Sequence, residues 1–438
     1  MTATEPPASP KLPALDRRSL LKAGLLGSGL LAAPLSASQP GRGFTHGVAS
    51  GEPGPDRVLL WTRFQADQDT PLEFEVSDSV DFTRKIAGGS IAARAENDWC
   101  CKTFAKGLEP AQSYYFRFIA PDGSISDIGR TRTLPEGPAD RFRMAVFSCA
   151  NIGFGWFNAY AHAAADGNFD CVLHLGDYFY EYAPGTYPST DETVSGRSVW
   201  PSHELVALAD YRERYAAYRQ DPDLRRLHQL FPMIAVWDDH ESANDSWEGG
   251  AENHQPDSEG EWSVRKAAAM KAYREWMPVS DEPWAEYEVG DLATLYRLET
   301  RLTARAKQFS LGDVLRGGSS PEEAKAALTA FRDGDYRDPA RELLGSAQQD
   351  WLAEGFSRSK AAGKTWQVLV QQVLMGNLVS SPSLAAALPK DAPDYIRQRV
   401  LAGAMAGAEG VPFSMDAWDG YPAARRRVFE AALSADAN

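Results

Sequence analysis

Apolar and polar positions along the chain fall into two successive patterns. From residue 43 to 135 the apolar runs are short and bounded by turn residues: Arg57-Val-Leu-Leu-Trp-Thr-Arg63, Leu72-Glu-Phe-Glu-Val76 and Ser113-Tyr-Tyr-Phe-Arg-Phe-Ile119. The last partly alternates and leads into Pro121-Asp-Gly123, a hairpin-type turn. Such runs predict a small all-β domain of immunoglobulin-like or fibronectin-like form. The alternative is that these strands extend the sheet of the region that follows. Thr133 to Ala139, with Pro135, Gly137 and Pro138, reads as a linker. Over residues 136–438 apolar strands alternate with helical stretches such as Trp156 to Ala165 and Asp210 to Gln229. That βαβ alternation predicts an α/β domain around a largely parallel sheet. Further along, Trp366 to Val373 reads as a buried strand, and 321–332 and 384–407 as helical.

Three apolar strands of this second region end in groups able to bind a metal. Arg141-Phe-Arg-Met-Ala-Val-Phe-Ser-Cys149 ends on a thiol, and Phe169-Asp-Cys-Val-Leu-His-Leu-Gly-Asp177 ends on a carboxylate followed by Tyr178, Tyr180 and Tyr182. Phe231-Pro-Met-Ile-Ala-Val-Trp-Asp-Asp-His-Glu241 ends on Asp238, Asp239 and His240. Loops after different parallel strands meet along one edge of the sheet, so these donors are expected to converge. Thiolate and phenolate suit a Lewis-acidic ion such as ferric iron, Fe3+. Oxygen donors from Asp239 and Asn244 suit a harder ion such as calcium, Ca2+. Asp177 is placed to bridge two ions, the arrangement that clamps both oxygens of a phosphoryl transfer, and His240 to donate a proton or hydrogen bond. His174, inside an apolar strand, reads as a core residue. Asp238 stands open between ligand and backbone-orienting roles.

Composition narrows the field. With 438 residues the chain is long enough for two or three domains. A net charge of −15 argues against a surface that tracks nucleic acid or anionic membrane, which needs a basic stripe. Four cysteines without CxxC spacing disfavour zinc ribbons and thioredoxin-like motifs, and adjacent Cys100 and Cys101 would point to opposite faces of a strand. Residues 1–42 carry Arg17-Arg18, Leu20-Leu-Lys22 and a short Gly- and Ala-rich apolar run, like a twin-arginine export signal. The run is too short for a permanent membrane span. The expected partner is the twin-arginine machinery, and the expected location periplasmic or secreted.

Several of these segments together are diagnostic. Phe44-Thr-His-Gly-Val-Ala-Ser-Gly-Glu-Pro53, Val58-Leu-Leu-Trp-Thr-Arg63, Phe147-Ser-Cys149, His174-Leu-Gly-Asp-Tyr-Phe-Tyr-Glu181, Tyr211-Arg-Glu-Arg-Tyr215 and Trp237-Asp-Asp-His-Glu241 resemble the PhoD-like alkaline phosphatases. The resemblance implies a calcium-dependent, iron-containing phosphatase or phosphodiesterase with a layered calcineurin-like metallophosphatase domain, and a phosphate-ester or phospholipid substrate. On this sequence it implies Cys149, Asp177 and Tyr180 as iron-side ligands, and it alone selects Tyr180 among the three tyrosines. Asp239 and His240 match a metal ligand and the phosphate-facing histidine, with Asn244 a further calcium-side candidate. In Glu299-Thr-Arg-Leu-Thr-Ala-Arg305, Arg301 or Arg305 is a candidate for bidentate phosphate binding, with solvated surface arginine the bland alternative. The family's later Gly-Asp-x-His motif has no counterpart before Asn438, and the expectation from sequence is a fragment with little or no activity. The alternative function is an exported binding or scaffold protein that keeps the fold without turnover. A nucleic-acid hydrolase is disfavoured by charge.

Overall fold

The chain is described here from a computed structural model, covering residues 41–316, 320–389 and 391–438. Residues 1–40, which hold the expected export signal, lie outside the described residues. Thirteen strands are present among them: β1 (Gly43–Gly51), β2 (Arg57–Gln65), β3 (Thr70–Ser77), β4 (Lys85–Ala93), β5 (Cys100–Lys106), β6 (Ser113–Ile119) and β7 (Gly129–Arg132) precede β8 (Met144–Phe147), β9 (Cys171–His174), β10 (Pro232–Ala235), β11 (Ala285–Val289), β12 (Ala293–Arg297) and β13 (Trp366–Val370).

The N-terminal all-β region consists of two facing sheets. One has the order β4-β3-β6-β7; the other contributes β5-β2-β1 to a six-stranded sheet that continues through β10-β9-β8. The join is a short parallel pairing, Ser50 with Pro232 and Gly51 with Met233. The strands thus both face a partner sheet and extend the next region's sheet. Period-two alternation explains how. Val58 and Leu60 of β2 pack with Phe74, Val76, Phe116 and Phe118 of the facing sheet, whereas Trp61 points the other way into the core of the α/β region. The unbroken apolar run Val58-Leu-Leu-Trp61 is the sequence mark of a strand buried on both faces. Cys100 and Cys101 likewise enter different cores, and all four cysteines are free.

The rest forms stacked layers. Cys171, Leu173, Ile234 and Val236 of the large sheet pack on Tyr287, Val289, Leu295 and Val370 of the three-stranded sheet β11-β12-β13. Helices cover the two outer faces, Asn158–Asp166, Leu208–Tyr218, Pro222–Leu230 and Trp262–Trp276 on one, and Ser346–Ala361 with Pro422–Ser434 on the other. The helix expected over 210–229 is broken in two because Asp221 caps a new helix, accepting from the N–H groups of Asp223 and Leu224, with Pro222 at its first position. Pro389 and Pro393 similarly divide 384–407 into a short 3-10 turn and the helix Asp394–Ala408. Among the described residues no helix is long and apolar enough to cross a membrane.

Candidate metal centre

The three donor-bearing loops leave neighbouring parallel strands side by side. Phe147 pairs with His174 and His174 with Ala235, so β8, β9 and β10 end at the same level. Beyond the strands the backbones stay in contact: Cys149 N–H donates to Gly176 O at 3.2 Å and Ala150 N–H to Asp177 O at 2.8 Å. Gly176 has φ +89°, and a Cβ there would sit 2.5 Å from the Asp238 backbone nitrogen. Cys149 and Asp177 occupy the left-handed region at φ +57° and +51°, which costs a non-glycine residue roughly 1 kcal/mol or more.

Glu241 holds this strained junction. Its buried carboxylate accepts from Asp177 N–H (3.2 Å), Tyr178 N–H (2.5 Å) and Asp238 N–H (2.7 Å), tying the β9 loop to the β10 loop. Burial, opposed by those donors, raises its pKa to about 7.

Asp177, Asp239 and His240 each offer a ligand atom, all within 4.8 Å of one another and all buried. Tyr180 Oη donates to Asp177 Oδ2 at 3.1 Å, while Asp177 Oδ1 is buried without a hydrogen-bond partner. Burial and the Asp239 and Asp238 carboxylates push Asp177 well above the usual carboxylate range, against the pull of His240. Asp239 is held low despite burial by Arg301, His240 and the N–H of Asp245 at 2.7 Å. Cys149 is exposed at the rim; partial desolvation of its thiol and the Asp177 charge raise it to about 11. Burial, Asp177 and Cys149 also push the Tyr180 phenol far up. An orphaned buried carboxylate oxygen beside a phenol, a thiol and a second carboxylate is a donor set that fits a cation, which would stabilise every deprotonated form at once.

Around these groups lies a charged frame. Glu181, fully buried, accepts from His240 Nδ1 at 2.7 Å and from Asn244 N–H at 2.7 Å. Burial works against a charge on His240, but Asp239 and Glu181 hold the imidazolium well above its ordinary range. The Asn244 amide donates to Glu252 at 3.1 Å. Arg301 is neither solvated nor turned to an open site: it is 2% exposed, with Nε on Asp238 Oδ1 (2.5 Å) and Nη1 and Nη2 on the two oxygens of Asp416 (2.6 and 2.8 Å). Its donors are spent on carboxylates. Arg305 is buried as well, on Asp416 and over the Tyr421 ring. Asp238 therefore serves Arg301. His174 bonds to Tyr160 Oη at 3.0 Å inside the core, and Gln372 to Thr300 and to Trp237 O. Beside the cluster opens a cavity of about 1010 Å³ whose wall includes Asp245, Trp247, Lys307, Phe413 and Asp416.

Sequence reasoning passed over Glu181, Glu241, Asp245 and Asp416. The first two end the quoted motifs; Glu181, an acid set among Tyr178, Phe179, Tyr180 and Tyr182, carries a signal that could have found it, whereas Glu241 follows three polar residues and carries none. Asp416 stands more than a hundred positions from Arg301, and nothing local marks the pairing.

Residues 144–438 match the family described as PhoD-like phosphatase, and residues 30–135 match PhoD-like phosphatase, N-terminal domain. Alkaline phosphatase D of Bacillus subtilis (strain 168) is 33% identical over 427 residues, which is 93% of this chain; the chain spans 64% of that relative's length. A solved structure entitled "Structure of PhoD" is 31% identical, with a TM-score of 0.70 over 92% of this chain and 71% of that one.

Proposed function

Because this chain belongs to the PhoD-like phosphatase family, we propose that the cluster at the ends of β8, β9 and β10 hydrolyses phosphate mono- or diesters, including phospholipids, with bound ferric iron and calcium. The observation that carries this is the convergence of Asp177, Asp239 and His240 within 4.8 Å, with Asp177 Oδ1 buried and unpartnered. Cys149, Asp177 and Tyr180 would hold iron; Asp239 and Asn244 would hold calcium; Asp177 would serve both. When bound, the ions supply Lewis acidity toward the phosphoryl oxygens and lower the pKa of water.

The chain's own residues do the remaining work. His240, kept cationic by Asp239 and Glu181, is poised to donate to a phosphoryl or leaving-group oxygen. Glu181 fixes the ring by engaging Nδ1, which leaves Nε2 as the donor. Arg301 acts as a positioning residue, balancing Asp238, Asp239 and Asp416, and this replaces direct phosphate binding as its role. Export by the twin-arginine route to the periplasm or beyond belongs to the same reading, supported by Arg17-Arg18 and the apolar run after it. Replacing both arginines by lysine should retain the protein in the cytoplasm.

The test is metal content followed by turnover, on the 438-residue chain supplied with iron and calcium. Stoichiometric iron and calcium, a visible charge-transfer band, and hydrolysis of an aryl phosphate or a bis-aryl phosphodiester that disappears in Asp177→Asn support the proposal. Bound metal with no hydrolysis of either substrate favours the scaffold reading. Failure to bind iron and calcium overturns the centre itself.

A further inference from the structure

The strands that present the acidic cluster at one end present a basic cleft at the other. Arg143 precedes β8, Asp170 precedes β9, and Phe231 and Pro232 open β10; with Arg130 and Arg132 of β7 and with Arg141 they line a cavity of about 690 Å³. From Arg143 to Cys149 the chain runs six residues, about 20 Å of extended backbone, so the cleft lies well away from the candidate metal centre.

Four guanidinium groups face two carboxylates here, in a protein whose net charge is −15. One of the two carboxylates, Asp170, is already engaged. Asp170 takes Arg132 Nε at 3.1 Å on one oxygen and Arg143 N–H at 2.7 Å on the other. Two arginines are fixed as a wall: Arg132 also reaches Ser113 Oγ at 3.3 Å, and Arg130 donates to Leu230 O at 3.1 Å while lying over the Phe231 ring. The side chains of Arg141 and Arg143 have no ion-pair or hydrogen-bond partner among the described residues. Burial, with repulsion from Arg226 and Arg132 and against the pull of Tyr115, lowers the pKa of Arg130.

We propose that this cleft binds a compact, multivalent phosphate ligand, independently of the metal centre. A guanidinium offers two parallel N–H groups that match adjacent phosphate oxygens. More than one free guanidinium selects a multiply charged oxyanion over chloride or a monocarboxylate. The concavity and its volume, within the roughly 300–1,000 Å³ of small-ligand sites, fit a small anion better than a flat surface or a polymer. Pyrophosphate is the natural probe, inorganic phosphate the smaller one, and succinate the divalent control without phosphate geometry.

Calorimetric titration of the 438-residue chain carrying Asp239→Asn, in chelator and at constant ionic strength, reads the cleft alone. One pyrophosphate site is expected, with inorganic phosphate weaker and succinate weaker still. Arg141→Gln with Arg143→Gln should lower pyrophosphate affinity at least tenfold while leaving the thermal midpoint unchanged, and lysine at both positions should recover part of it. Absence of binding, binding unaffected by the double glutamine variant, or succinate matching pyrophosphate would each overturn the proposal.

Discussion

The carboxylate of Glu181 accepts from His240 Nδ1 at 2.7 Å, with no exposed surface on the glutamate. Its other oxygen is bound by Asn244 N–H and Asn253 Nδ2, so the acid cannot swing away from the ring. Glu181→Gln keeps the shape and removes the charge that supports the imidazolium. Partners of this kind are worth about 10–100-fold in activity. The expected result is a drop of that size in kcat, with KM nearly unchanged and the basic limb of the pH profile moved to lower pH. An unaltered profile would detach Glu181 from His240 function.

Arg301 should be far more important to folding than its distance from any substrate suggests. It neutralises Asp238 and Asp416 directly and Asp239 at 3.6 Å, all in a buried setting. Arg301→Met strands those carboxylates, and breaking a buried pair costs about 3–5 kcal/mol. Urea denaturation should show a loss in that range. Arg301→Lys should recover little, since one ammonium cannot serve Asp238 and both oxygens of Asp416 together.

The metal-free chain should lose stability between about pH 6.5 and 7.5. Asp177 is raised by burial and neighbouring carboxylates, Asp238 to about 6, Asp245 to about 6 and Glu241 to about 7, in each case with burial as the largest cause. Within this cluster the native state binds more protons than the unfolded chain, so its contribution to unfolding free energy falls as pH rises; His46, His174 and His228, lowered by burial, act the opposite way up to about pH 6.5, and above that the cluster prevails. His240, raised in the fold, adds a loss of the same sign at higher pH. Asp239 and Asp416 are depressed and act the opposite way only toward more acidic pH. Thermal midpoints in chelator should decline across the window, and iron with calcium should reverse the trend because cations take the place of the protons. A midpoint that rises with pH in chelator would contradict this cluster electrostatics.

Cys149 offers a separation of metal binding from stability. The residue is exposed, so Cys149→Ala, which keeps a Cβ at φ +57°, should change stability by no more than about 0.5 kcal/mol. Iron content and any thiolate or phenolate absorption band should nonetheless fall sharply. Retention of full iron occupancy would remove Cys149 from the ligand set.

Gly176→Ala tests the junction itself. A Cβ would meet Asp238 N and Cβ at 2.5 Å, and φ +89° is unfavourable for alanine. Overpacking of this kind costs about 1–3 kcal/mol before the backbone term is added. Because the clash lies between the two loops that carry Asp177 and Asp239, metal affinity should fall along with stability. Unchanged metal affinity in a destabilised variant would show that the loops relax without moving the donors.

Much of this protein was written locally. The apolar runs ending at Asp177 and Asp238 identified buried strands, because a strand buried on both faces needs a continuous apolar stretch, and with the run ending at Cys149, which forms the partly exposed edge strand β8, they marked the donor-bearing ends where polar groups can emerge. The same logic gave the all-β region and the α/β alternation. Local pattern misjudged the single helix over 210–229, where one Asp-Pro step outweighs the periodicity on either side.

Other features depend on atoms brought together across long sequence separations. Arg301 looks in sequence like an arginine available to phosphate; only the approach of Asp416 and Asp238 commits it to carboxylates. Glu241 looks like one more acid in a motif, and becomes the clamp of two loops only when their N–H groups converge on it. The pairing of β1 with β10 joins two regions that composition would divide. Sequence therefore determined which groups stand at strand ends, since that follows from hydrophobic periodicity. Tertiary structure decided which charges meet, because hydrogen bonds and ion pairs act over a few ångströms and carry no trace of how far apart their partners lie along the chain.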